Sequence, residues 1–387
     1  MRWIPRLLAS ELRRAARAVP ALILTGPRRA GKTSLLRALF PGAEYHLLED
    51  PDTLARVRAD PRRFLEEMRL PAILDEIQNA PELLAYVRAR IDAAPRRTGQ
   101  WLLTGSQEAP LMRGVTESMA GRAAVLQLLP LSLAESPKVS MLRGGFPEVL
   151  ARPRAAQLWF RSYVQTYLER DVRAIAAIRD LAVFRRFLAL LATRCGQMLN
   201  RSELAAPLGV SVPTVSGWLS ILETTGQIIL VPPFYENFGK RLIKSPKLYF
   251  ADTGLVCHLL GIETEAMLDR SPFLGPVFES LVAGEILKHQ LNAGRARALY
   301  WFRDQQGLEV DFLVPLGEKR LALLEAKATR SPRPEAALPL QRLERVAGGY
   351  ARRAYVVYRP GRTTPPAAAL GAGVRALPAD ALAQALR

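Results

Sequence analysis

Three short apolar runs, each followed by polar or small residues and then by a helical pattern, dominate the first third of the chain. The first, Ala21-Leu22-Ile23-Leu24-Thr25, leads through a glycine-rich loop into the helical segment Ser34-Leu35-Leu36-Arg37-Ala38-Leu39. The second, Ala72-Ile73-Leu74-Asp75-Glu76-Ile77, ends in two carboxylates. The third, Gln100-Trp101-Leu102-Leu103-Thr104-Gly105-Ser106, follows a turn-rich stretch and ends in hydroxyl residues. Strands alternating with helices predict an α/β domain with a doubly wound parallel sheet, over residues 18–150 and closed by Gly144-Gly145-Phe146-Pro147. Ahead of it, the stretch from Trp3 to Ala18, with Arg6, Arg13, Arg14 and Arg17, reads as a packed first helix, residues 1–17, rather than a membrane anchor.

The period changes after residue 150. Residues 151–195 read as a helical lid or linker, in which Trp159, Tyr163, Tyr167 and Leu168 recur at helical spacing while Arg161, Arg170, Arg173 and Arg179 decorate the outside. In residues 196–271, Ser202 and Ser211 stand as N-caps on either side of Gly209, the sequence shape of a helix-turn-helix. The runs Ile228-Ile229-Leu230-Val231 and Lys247-Leu248-Tyr249-Phe250 then supply two strands, so a winged helix is predicted. Its basic residues Lys240, Arg241, Lys244 and Lys247 are the candidate DNA contacts. From Ser202 to Gly239 there is no lysine or arginine, so the second helix has no cation with which to hold phosphate or read guanine. The wing would grip a nucleic-acid backbone without regard to sequence; packing against the first domain or a neighbouring subunit is the alternative.

Residues 272–387 follow a third pattern. A helix carries Glu279, a strand carries Asp311, and the period-two strand Leu321-Ala322-Leu323-Leu324-Glu325-Ala326-Lys327-Ala328 sets Glu325 and Lys327 on one face. Pairing of those strands would bring Asp311 to the Glu-x-Lys pair, giving carboxylates for a divalent cation and an ammonium beside the attacking water. That is the equipment of metal-dependent phosphodiester hydrolysis. With a helix near Leu338 to Val346 and the strand Ala354 to Tyr358, the order resembles the restriction-endonuclease fold. A charged strand end in an ordinary α/β domain, or a nuclease fold kept for docking alone, would give the same pattern.

The loop after the first strand carries the sharpest chemistry. Gly26-Pro27-Arg28-Arg29-Ala30-Gly31-Lys32-Thr33 is a complete phosphate-binding loop in the required place between strand and helix. Its backbone N–H groups, with Ser34 beginning the helix, form an anion cradle, and the two glycines permit a path that side chains would obstruct. Lys32 is expected on the β and γ phosphates and Thr33 on Mg2+. Asp75 is expected to hold the Mg2+ shell and Glu76 to orient or deprotonate water. Thr104 or Ser106 would sense the γ-phosphate, unless they only cap a helix. Arg122 is the candidate for neutralising transition-state charge, in this subunit or a neighbouring one.

Composition adds a partner and a compartment. The 387 residues call for two or three domains, and 49% hydrophobic with 23% charged residues describe a globular chain. A net charge of +18 favours polyanions, DNA above all. Eight of the 54 basic residues are lysine, a bias that replaces lysine by arginine without explaining the positive excess. Cys195 and Cys257 have no metal spacing, and the three histidines are scattered, so neither a zinc site nor a disulfide framework is expected. No apolar stretch reaches a membrane span, and the expected location is the reducing cytoplasm.

Taken with Leu74-Asp75-Glu76, Ala120-Gly121-Arg122, Gly144-Gly145-Phe146-Pro147, Tyr167-Leu168-Glu169-Arg170-Asp171-Val172, Lys244-Ser245-Pro246-Lys247-Leu248-Tyr249-Phe250, Glu309-Val310-Asp311-Phe312 and Glu325-Ala326-Lys327, the loop marks a resemblance over nearly the full length. The chain resembles a family of bacterial and archaeal ATPases of the AAA class, in which a P-loop domain precedes a winged helix and a C-terminal domain of unknown function. The resemblance implies ATP and Mg2+ as cofactors, assembly into a homo-oligomer, with a hexamer as one form, and a role with DNA. A second divalent metal would belong to the nuclease-like site. Two functions fit: an oligomeric motor that remodels or moves along branched or single-stranded DNA, and a nucleotide switch controlling a C-terminal effector or nuclease in stress or defence.

Overall fold

The computed structural model describes residues 4–105, 118–168, 181–234, 245–346, 350–359, 361 and 369–386. Contacts divide them into two compact units, one built on residues 1–131 and the other on 132–387, apart from two short segments of the latter, 224–226 and 291–295, that join the first.

In the first unit the strands β1 (Ala21–Thr25), β2 (Glu44–Leu47), β3 (Ala72–Asp75), β4 (Trp101–Thr104) and β5 (Ala123–Gln127) form a sheet in the order β2-β3-β4-β1-β5. Every pairing is parallel. The inner strands β1, β3 and β4 are buried along their whole length, which explains their unbroken apolar runs: helices cover both faces, so no alternation is needed. The first helix, Ala9–Ala18, sets Leu12 and the preceding Leu8 into a cluster with Leu22, Leu24, Leu35, Leu36 and Leu128. Each leucine so buried contributes on the order of 2 kcal/mol. The helix is therefore part of this unit's core and not a segment of its own.

The second unit begins earlier than the pattern predicts. Residues 132–150 pack with its helices, not with the parallel sheet: Gly145 N–H donates to the buried Asp252 carboxylate at 2.7 Å and Leu133 N–H to Glu285 at 2.9 Å. The Gly144-Gly145 turn is thus shaped around Asp252, whose oxygen would lie 2.0 Å from a Cβ at Gly144. The boundary expected at residue 150 moves to Leu131 for that reason. Phe146, Trp159, Phe160 and Tyr163 form an aromatic cluster beside this turn, in which Trp159 and Tyr163 take the packed role their spacing predicts.

Farther on, the helices Arg201–Ala205 and Val212–Thr224 turn about Gly209, at φ +66, and the segments 201–208 and 212–224 meet at 112°. The short antiparallel pair β6 (Ile228–Val231) and β7 (Lys247–Phe250) follows. Residues 300–378 carry a mixed sheet of β8 (Tyr300–Arg303), β9 (Glu309–Gly317), β10 (Arg320–Lys327), β11 (Ala351–Tyr358), β12 (Ala369–Gly371) and β13 (Val374–Pro378), in the order β12-β13-β11-β10-β9-β8. Here β8, β9 and β10 run antiparallel, while β10, β11 and β13 run parallel. Among the described residues no single helix is long and apolar enough to cross a membrane.

Candidate functional site

The phosphate-binding loop leaves β1 at the carboxyl edge of the parallel sheet and ends in the helix Lys32–Leu39. Gly26 has φ +135 and Gly31 φ +99, the region that favours glycine. A Cβ at Gly26 would stand 2.1 Å from the Leu128 carbonyl oxygen, so the loop's path requires a bare Cα there. The Lys32 ammonium, buried with its side chain folded over the loop, donates to the carbonyls of Gly26 at 3.0 Å and Pro27 at 3.1 Å. From outside the motif, Arg6 donates to Ala30 O at 2.9 Å and to Leu129 O at 2.6 Å, fixing the loop's far side. Arg28 is half-buried; Arg29, at φ +63, and Ser34 are exposed.

Strand β3 delivers Asp75 and Glu76 beside this loop. Thr33 Oγ1 lies 2.9 Å from both Asp75 oxygens, and the Tyr45 hydroxyl donates to Asp75 Oδ2 at 2.8 Å. Thr104 does not face outward from the end of β4. Its fully buried hydroxyl donates to Asp75 Oδ1 and accepts from Glu76 N–H at 3.2 Å. Thr104, expected to sense the γ-phosphate, here ties the two acids together. Glu76 takes a left-handed conformation, φ +60 and ψ +49, and its carboxylate accepts from the Gln78 side-chain amide. A non-glycine residue in that region costs about 1–3 kcal/mol, strain of the kind that gathers at functional sites. Burial and the adjoining Asp75 charge raise the Tyr45 pKa, which keeps the hydroxyl a donor.

The loop fits a nucleotide: bare glycine backbone, a helix N-terminus, a folded-back lysine and a hydroxyl hydrogen-bonded to a buried carboxylate. Lys32 and the loop N–H groups would hold polyphosphate, and Thr33 with Asp75 would hold Mg2+, which supplies charge neutralisation across the phosphates.

In the second unit the nuclease-like residues sit on one patch of the mixed sheet. Glu325 and Lys327 on β10 pair at 2.7 Å, and Asp311 on β9 accepts from Ala326 N–H at 3.0 Å. Glu279, on the helix Leu274–Asn292, accepts from the Tyr249 hydroxyl at 3.2 Å. Burial and the neighbouring Asp311 charge push Glu279 up to about 8 and Glu325 up to about 7. Lys247 enters the same patch from β7, its ammonium 2.5 Å from Glu309 and 3.3 Å from Asp311. This corrects its assignment as a DNA contact, since a lysine 4% exposed and paired with two carboxylates is unavailable to a phosphate. Among the described residues, no three His, Cys, Asp or Glu side chains are drawn together closely enough to hold a metal ion.

Comparison with known proteins bears on both units. A family model described as a AAA domain matches residues 18–136, and two described as domains of unknown function, DUF8612 and DUF4143, match residues 135–266 and 274–380. The uncharacterized proteins Rv2008c of Mycobacterium tuberculosis and Mb2031c of Mycobacterium bovis are each 34% identical over 332 residues, spanning 84% of this chain and 74% of theirs. The chain belongs to their family. Among solved structures, the Walker-type ATPase PABY2304 of Pyrococcus abyssi is 17% identical over 65% of this chain and 94% of its own, with TM-score 0.45. A RuvB variant of Thermotoga maritima is 17% identical over 58% and 89%, with TM-score 0.30. Residues 18–136 of this family member form a P-loop ATPase domain of the AAA class.

One expectation for that domain falls elsewhere, and another lies outside the described residues. Arg122 stands at the amino end of β5, where its carbonyl accepts from Ala21 N–H, and its guanidinium makes a two-pronged pair with Asp92 at 2.6 and 3.0 Å. The length of β1, roughly 13 Å, separates that edge from the loop, so Arg122 does not reach the nucleotide site of its own chain. Ser106, like Lys240, Arg241 and Lys244, lies outside the described residues. Sequence reasoning missed Arg6, Tyr45, Gln78 and Tyr249, each of which acts on a site residue distant in sequence or hidden in a common pattern. Lys247 and Tyr249 had one usable signal: two polar residues on one face of a strand otherwise fully buried.

Proposed function

We propose that this protein hydrolyses ATP with Mg2+ and couples turnover to DNA as a homo-oligomer, remodelling or moving along branched or single-stranded DNA. The carrying observation is the Thr33–Asp75 contact at 2.9 Å with Glu76 next in the chain, bound through its backbone to Thr104. In this reading Lys32 and the loop N–H groups bind the phosphates, Thr33 and Asp75 hold the metal, and Glu76 turns a water toward the γ-phosphate. The net charge of +18 supports a polyanionic partner. The 112° helix pair with its following hairpin supports a winged helix, and the β8-to-β11 order beside Glu279, Asp311 and Glu325 supports a restriction-endonuclease-like domain.

A second reading, a slow nucleotide switch acting on a C-terminal effector, is favoured by two observations: Lys247 is turned inward, and the helix Val212–Thr224 carries no cation. Steady-state ATPase rates with and without single-stranded, duplex and branched DNA distinguish the two. A motor is expected to show rates raised several-fold by one of these DNAs. Slow turnover indifferent to all three, with nucleotide-dependent change in assembly, would replace the motor by the switch.

A further inference from the structure

Lys247 and Tyr249 are two residues apart on β7, so the strand's period of two turns both toward the carboxylates of the mixed sheet. Lys247 Nζ lies 2.5 Å from Glu309 Oε1, 3.3 Å from Asp311 Oδ1 and 5.2 Å from the centre of the Trp301 ring. The Tyr249 hydroxyl donates to Glu279 Oε2. The ammonium is thus held in a two-carboxylate ion pair, among the acids that a metal-dependent phosphodiesterase would use to hold its ion.

A divalent cation does not fit beside it. The carboxylates that would ligate the ion already face an ammonium, and a doubly charged ion added within a few ångströms would repel that charge without room to separate from it. Access is not the obstacle, because Lys247 and Glu309 line a cavity of about 900 Å³ together with Asn200, Arg201 and Arg303. One feature could favour a metal: Glu325 Oε2 is buried with no hydrogen-bond partner among the described residues, while Oε1 takes Lys327. That carboxylate already has a counter-charge, the Lys327 ammonium at 2.7 Å.

We propose that the Lys247 ammonium is the resident cation of the Glu309–Asp311 pair, beside Glu279 and Glu325, in the place of a divalent ion. The cluster then acts as a socket that fastens the β6–β7 pair to the C-terminal sheet and not as a cleavage centre. Tyr249 completes the attachment at Glu279. None of this depends on ATP turnover.

The test uses the full chain without nucleotide, titrated with Mn2+ and followed by electron paramagnetic resonance of the free ion and by calorimetry. The wild type is expected to show no Mn2+ site that Asp311→Asn removes. Stoichiometric Mn2+ on the wild type that disappears in Asp311→Asn overturns the proposal. A folded Lys247→Met is expected to unfold at a lower urea concentration than the wild type, and equal stability overturns it as well. Should Lys247→Met fail to fold, amine acetylation of the wild type read by peptide mass spectrometry decides. Lys247 is expected to react at least tenfold more slowly than the exposed Lys319, with or without Mn2+; equal rates, or acceleration by Mn2+, refute it.

Discussion

The Tyr45 hydroxyl donates to Asp75 Oδ2 at 2.8 Å, so strand β2 braces the carboxylate that β3 brings to Thr33. Three hydroxyls, from Thr33, Tyr45 and Thr104, converge on this one side chain, and each restricts its rotation. Tyr45→Phe removes one donor while keeping the ring that Arg37 covers. The concentration of Mg2+ giving half-maximal ATP hydrolysis is expected to rise roughly tenfold, about 1.4 kcal/mol for one lost hydrogen bond to a charged group, with kcat changing less. An unchanged Mg2+ titration would show that Thr33 and Thr104 orient Asp75 without help.

Binding and hydrolysis should separate between the loop and β3. Lys32→Ala is expected to abolish nucleotide binding measured with a fluorescent ATP analogue, because backbone dipoles cannot replace its charge on the phosphates. Glu76→Gln should bind nucleotide as the wild type does and lose phosphate release by about 100-fold or more. Full turnover in Glu76→Gln would take Glu76 out of the water-activating role.

The loop, the carboxylate strand and the order of elements around Asp311 and Glu325 were legible because their information is local: a glycine path, a strand period, a helix start. What stayed hidden is long-range. Thr104 at a strand end has the same sequence appearance whether it faces a phosphate or turns inward to Asp75, and the choice is made by the β3–β4 pairing. Lys247 read as a basic wing residue because nothing near it in sequence announces that Glu309 and Asp311 arrive beside it, more than sixty positions later. Likewise the Gly144-Gly145 turn reads as the close of one domain until Asp252 fills it.

Glycine 26 offers a stability test with an internal control. Its Cβ would meet Leu128 O at 2.1 Å, and Leu128 N–H is itself bound to Thr25 O at 2.9 Å, so relief would require breaking the β1–β5 edge. Gly26→Ala is expected to lose nucleotide binding and to cost more than about 2 kcal/mol in thermal or urea unfolding. Gly121, at φ +72 with nothing among the described residues within 4 Å of its Cβ, carries backbone strain alone, and Gly121→Ala should cost only about 1 kcal/mol. Equal losses in the two variants would mean that the Leu128 carbonyl yields.

The buried acids of the second unit should make its stability fall as pH rises. Glu279 is pushed up to about 8 and Glu325 up to about 7, first by burial and then by Asp311, from the ordinary carboxyl value of 4.5. A carboxyl whose folded pKa is raised binds its proton more tightly in the folded than in the unfolded chain, so its contribution is complete below about pH 4.5 and is lost as pH climbs through the folded value. Unfolding free energy, measured by denaturant titration with a tryptophan or circular-dichroism signal from this unit, is therefore expected to decline between about pH 5 and pH 8. Glu279→Gln keeps an acceptor for the Tyr249 hydroxyl but has no proton to lose. The slope in that variant should be shallower than in the wild type by up to about 1.4 kcal/mol per pH unit, the limit for one proton. An identical slope in both proteins, or stability that rises across this window, would show that Glu279 is already ionised in the folded chain.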